Sequence, residues 1–110
     1  MNGSTGYVES GRGNITEGES RTVSGWIKTL SSGTQTVMSY GQNKVFINGR
    51  FEYRLNDGLP ELKISNTVVC QPDNAPAINN GQWHHVAVVL PNEHSNVCGD
   101  VLFYVDGQEY

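Results

Sequence analysis

Two cysteines, two adjacent histidines and a scatter of carboxylates are the side chains in this sequence whose types do chemistry. Cys70 and Cys98 each adjoin a long polar loop, and the two loops lie at opposite ends of the apolar stretch that runs from Gly81 to Leu90. A disulfide between them would close about 28 residues and stabilise the fold by roughly 3 to 4 kcal/mol through chain entropy. It would also place the protein in an oxidising compartment. The spacing leaves a bonded pair and two free thiols equally open. His84 and His85 look like metal ligands, yet neighbouring residues of a strand point to opposite faces, so the two cannot hold one ion together. Neither Gln82 nor Val86, which share the His84 face, supplies a second imidazole or carboxylate. A structural part is expected for them, with one histidine hydrogen-bonded within a sheet. Cleavage of a glycosidic bond with retention needs two carboxyl groups about 5 to 5.5 Å apart. The nearest approaches are Glu17-Gly18-Glu19, in a loop, and Asp106-Gly107-Gln108-Glu109, and no catalytic residue is expected.

The element that must position these groups is Gly81-Gln82-Trp83-His84-His85-Val86-Ala87-Val88-Val89-Leu90. Its β-branched run, opened by glycine and closed by Pro91, reads as a central strand. Trp83, His85, Ala87 and Val89 fall on one face and His84, Val86, Val88 and Leu90 on the other, so both faces call for cover. Val101 to Asp106 repeats that two-sided character, and the two segments are natural antiparallel neighbours. With 13 Gly, 4 Pro, 16% charged residues and no helical periodicity, the 110 residues read as one all-β domain. The net charge of −4 and the dispersed seven Lys and Arg make nucleic acid and anionic membranes poor partners. No apolar run approaches the roughly 20 residues of a membrane span, and the first residues lack the features of a signal peptide.

In chain order, strands are expected around Tyr7 and Val8, from Arg21 to Leu30, from Thr36 to Gly41, around Val45 to Asn48, from Phe51 to Leu55, and in two pieces between Leu59 and Cys70. Trp26 is expected to pack in the core. Asn56-Asp57-Gly58 carries the chemistry of a hairpin turn. Asn14-Ile15-Thr16 fits a glycosylation sequon, a triplet common by chance. The loops from Gln71 to Asn80 and from Pro91 to Asp100 exceed what hairpins need, which makes them candidate binding loops.

Gly81-Gln82-Trp83-His84-His85-Val86-Ala87-Val88, followed by Leu102-Phe103-Tyr104-Val105-Asp106-Gly107, resembles the laminin-G-like branch of the concanavalin A-like lectin/glucanase superfamily. Asn2 to Val8, Thr22 to Lys28 and Phe51 to Gly58 resemble earlier strands of that family, in family order. The resemblance implies an antiparallel two-sheet jelly-roll sandwich and a non-catalytic binding module, extracellular or secreted, that recognises a carbohydrate or a protein surface. The superfamily's hydrolases carry a Glu-x-Asp-x-(x)-Glu array, which this sequence lacks. Tyr40, Tyr53 and Arg54 are the candidate ligand contacts, since a ring can stack on a sugar and a guanidinium can bind hydroxyls or carboxylates. Family domains often hold one calcium at a rim of the sandwich, and Asp57, Asp73, Asp100 and Asp106, with Asn74, are loop oxygens of a suitable kind. Turns favour the same residues without any metal. The family pattern runs on past the segment matched by Tyr104 to Gly107, so a truncated sandwich or a fragment is expected, with an open edge beside Phe103 and Tyr104. A homodimer through that edge is the simplest way to cover it.

Overall fold

The computed structural model describes residues 20–41, 50–64, 68–91 and 98–110, with the side chains of Tyr40 and Val68 outside that description. The strands expected around Tyr7 and Val45, the Asn14 sequon, Glu17 and Glu19 lie outside the described residues. Eight strands follow one another: β1 (Arg21–Lys28), β2 (Thr34–Gly41), β3 (Arg50–Asn56), β4 (Leu59–Ile64), β5 (Val68–Cys70), β6 (Trp83–Leu90), β7 (Leu102–Val105) and β8 (Gln108–Glu109). They form two four-stranded antiparallel sheets, ordered β1-β6-β7-β8 and β2-β3-β4-β5. The sandwich expected from the sequence is the fold observed.

Period-two alternation makes this architecture. Along β3, Phe51, Tyr53 and Leu55 are buried while Arg50, Glu52, Arg54 and Asn56 lie half-exposed, so each strand gives one apolar row to the interior. The core joins those side chains and Leu62, Ile64 and Cys70 of one sheet to Val86, Val88, Leu90, Phe103 and Val105 of the other, with Ile78 and Val101 from connecting segments. Val23 and Ile27 of β1 pack against it.

Two turns fix the hairpins. Asp57-Gly58 joins β3 to β4 and Asp106-Gly107 joins β7 to β8, all four with positive φ, as a type I′ two-residue turn requires. Gly58 has no substitute, because a β-carbon there would lie 2.4 Å from Asn79 Oδ1. Its carbonyl accepts the Ile78 N–H at 2.9 Å, which anchors the long loop after β5.

Cys70, at the end of β5, and Cys98, which opens a 3₁₀ turn, form a disulfide across a separation of 28 residues, with Cα atoms 5.1 Å apart. It ties the edge strand of one sheet to the segment that enters β7 of the other.

Two expectations are corrected. Trp26 is not in the core: it is 67% exposed, because the β1 register turns Val23 and Ile27 inward and Trp26 outward. The edge beside Phe103 and Tyr104 is not open either. β8 folds back so that Tyr104 pairs with Glu109 and Val105 with Gln108, the Tyr110 N–H donates to the Phe103 carbonyl at 2.9 Å, and Phe103 is buried.

Replacing both cysteines (Cys70→Ala, Cys98→Ala) is expected to lower unfolding free energy by about 3 to 4 kcal/mol. Urea titration of the oxidised parent beside the double variant measures it, and a difference below about 1 kcal/mol would mean the bridge constrains little.

Candidate functional site

The eight-residue register of β1 against β6 builds the most unusual surface among the described residues. Trp26 stands opposite His85, and Lys28 opposite Trp83. Directly opposed residues share a face, so these four side chains form a square on the side of the sheet turned away from the core. Further along the same face lie Ser24 opposite Ala87 and Thr22 opposite Val89. Tyr104 and Leu102 of β7 continue it beyond β6.

The face is aromatic and wet. Trp26 and Trp83 are 67% and 62% exposed, and Leu30, just past β1, is 79% exposed. These are the three highest values among the exposed large apolar residues described, and all three belong to one corner of one sheet. The His85 ring meets the Trp26 indole edge-on, with centroids 5.2 Å apart and planes at 67°. That geometry suits an aromatic pair and fixes the indole's orientation.

The corner is braced from behind. The Gly81 N–H donates to the Thr29 carbonyl at 2.9 Å, and Asn79 Nδ2 donates to the Ser31 carbonyl at 3.2 Å. Gly81 has φ +78°, a left-handed conformation that favours glycine, and Leu30 packs against its open side. His84, on the other face of β6, is held at both ends. Its Nδ1 lies 2.7 Å from Asp106 Oδ2 and its Nε2 lies 2.9 Å from Asn80 Oδ1, while the Gln82 N–H donates to that same Asn80 oxygen at 3.1 Å. Asp106 Oδ1 accepts the His85 N–H at 2.9 Å. The two histidines thus divide the work: His84 locks the start of β6 to the β7–β8 turn, and His85 supports the outer indole.

The expected ligand contacts lie elsewhere. Tyr53 is fully buried, so its ring is core packing and no sugar can stack on it. Its hydroxyl has no hydrogen-bond partner among the described residues, and burial raises its pKa far above the ordinary phenol value. Arg54 pairs through Nε with Glu61, whose other oxygen accepts from Gln71 Nε2 at 2.7 Å. On the same sheet Glu52 accepts from Thr36 Oγ1 at 2.7 Å and meets Arg50 at 3.7 Å, so the outer charges of β3 and β4 answer one another. Tyr40 opposes Phe51 in the β2–β3 register, and its side chain lies outside the described residues.

The four aspartates expected as calcium ligands come from four separate segments. Asp57 and Asp106 occupy two different hairpin turns, Asp73 the loop after β5, and Asp100 the end of the 3₁₀ turn. Among the described residues no three His, Cys, Asp or Glu side chains gather as a metal site, and both Asp106 oxygens are already taken.

Trp26 and Trp83 were within reach of sequence reasoning. The β6 alternation already placed Trp83 and His85 on one face, and pairing β1 with β6 would have added Trp26.

A family model described as the concanavalin A-like lectin/glucanases superfamily matches residues 2–110. Among curated proteins none matches the chain.

The Asp106 carboxyl is held below its ordinary pKa, first by the hydrogen bond with His84 and then by the His85 N–H. A depressed folded-state value gives stability that is present above the ordinary carboxylate range and is lost as pH falls through and below about 4. Asp106→Asn is therefore expected to lower the Tm at pH 7 and to converge with the parent toward pH 3. Melting curves that stay parallel across that range would contradict the linkage.

Proposed function

This chain belongs to the concanavalin A-like lectin/glucanase superfamily, and from that premise we propose that it is a binding module that recognises carbohydrate through the outer face of β1 and β6. Domains of the laminin-G kind are commonly non-catalytic binding modules, although the superfamily also includes glycosidases. One observation carries the choice of face: Trp26, Trp83 and Leu30, the most exposed large apolar side chains described, converge on one corner. Indole faces take the C–H face of a pyranose, and the neighbouring exposed Ser24 and Thr22 supply hydroxyls for hydrogen bonds.

Two exposed indoles on one corner are on the scale of a stacked sugar ring. The three side chains expose several hundred Å², the scale of a functional patch on a monomer. A stable protein interface takes roughly 800 Å² from each partner. Self-association through the same face is the competing reading, and a concentration-dependent mass lost on substituting either tryptophan would support it. The Cys70–Cys98 disulfide accords with an oxidising, extracellular setting. Among the described residues no helix is long and apolar enough to cross a membrane.

A glycan and polysaccharide array tests the reading. Trp26→Ala and Trp83→Ala are each expected to weaken binding about tenfold, which corresponds to about 1.4 kcal/mol, with the fold retained by circular dichroism. Binding is expected to be the same with added calcium and with a chelator. Full binding by both tryptophan variants would remove this face from recognition.

A further inference from the structure

Resting on the reading of the β1–β6 face as a sugar platform, we propose that the saccharide it takes is anionic, a uronate whose ring lies on the Trp83 indole and whose carboxylate meets Lys28. Lys28 stands directly across from Trp83 and two residues from Trp26 on the same face. Opposed residues have Cβ atoms about 5 Å apart, close to the width of a pyranose ring, so a carboxylate on a stacked ring falls within reach of the ammonium.

The cation is available. Lys28 is exposed and makes no ion pair with any described residue, whereas Arg50 and Arg54 on the opposite sheet are matched to Glu52 and Glu61. Asp106, which continues the β6–β7 register opposite His85, has both oxygens engaged by His84 and the His85 N–H; the next carboxylate by register is Glu109, which opposes Tyr104, which opposes Ala87, which opposes Ser24. Glu109 is thus three strands across and four residues, roughly 13 Å, along the strand. That exceeds the Debye length of about 8 Å at physiological salt, so Glu109 does not neutralise Lys28. The pairing of one free cation with two indoles complements a ring that is apolar on its face and negative at one substituent.

The overall charge of −4 limits the effect to this contact. The described residues present no extended basic surface to steer a polyanion, so discrimination arises from a single exposed ion pair, worth up to about fivefold in affinity.

The test uses galacturonate oligomers and the same oligomers after carboxyl reduction to the neutral sugar, titrated calorimetrically into the intact chain. The parent is expected to bind the uronate form about three- to fivefold more tightly than the reduced form. Lys28→Gln is expected to equalise the two, Lys28→Arg to keep the preference, and Trp83→Ala to weaken both. Equal affinity of the parent for both forms, or a preference that survives Lys28→Gln, overturns the anionic ligand and leaves the platform standing. Binding to neither form, or binding to both that Trp83→Ala does not weaken, overturns the platform and this inference with it.

Discussion

The pairing of β1 with β6 is the constraint on which the rest depends. Eight consecutive residue pairs, from Arg21 with Leu90 to Lys28 with Trp83, leave no freedom in which side chains face inward. A slip of one residue would put Trp26 and Lys28 into the interior and expel Val23 and Ile27. Val86, Val88 and Leu90 share one core cluster with Phe51, Leu55 and Leu62 of the facing sheet, so β1 must present Val23 and Ile27, and not Trp26, to the same side. The same choice that builds the core therefore presents two indoles and a lysine to water.

The two outer faces of the sandwich differ in a way that separates structure from recognition. On β3 and β4 the outward charges satisfy one another: Arg54 with Glu61, Glu61 with Gln71, Glu52 with Thr36 and Arg50. On β1 and β6 the outward residues include two exposed indoles and a lysine with no ion pair among the described residues, and what holds them lies behind them: the His84–Asp106–Asn80 network, the Gly81 contact with Thr29 and the edge-on ring of His85. A rigid support beneath an unsatisfied surface is the arrangement expected of a preformed binding site, where little ordering entropy remains to be lost on binding.

The sequence made the sandwich readable because its signals were local. Alternation in Phe51 to Leu55, the Asp57-Gly58 turn and the bounded run from Trp83 to Leu90 each name their element without help from the rest of the chain. The binding face was less readable, because exposure of Trp26 depends on a partner strand some sixty residues away. A tryptophan in an apolar strand looks like core until the register is known. Tyr53 is the opposite case: its place with Phe51 and Leu55, against Glu52 and Arg54, already put it on the apolar face, and its burial follows that alternation rather than the polarity of its hydroxyl. The adjoining Asp106-Gly107 turn was legible as a turn, but the grip of its carboxylate on two residues of β6 follows from the β6–β7 pairing.

Trp26 and Trp83 are the two tryptophans of the chain, so intrinsic tryptophan emission reports on this face alone. The most direct measurement is a fluorescence titration of the native protein with uronate oligosaccharide, read together with acrylamide quenching. The native protein is expected to emit as hydrated indole, to be quenched nearly as readily as the urea-unfolded chain, and to shift to shorter wavelength and gain protection as sugar saturates it. Native emission that is already blue and shielded from acrylamide, and indifferent to sugar, would contradict an exposed platform and the recognition built on it.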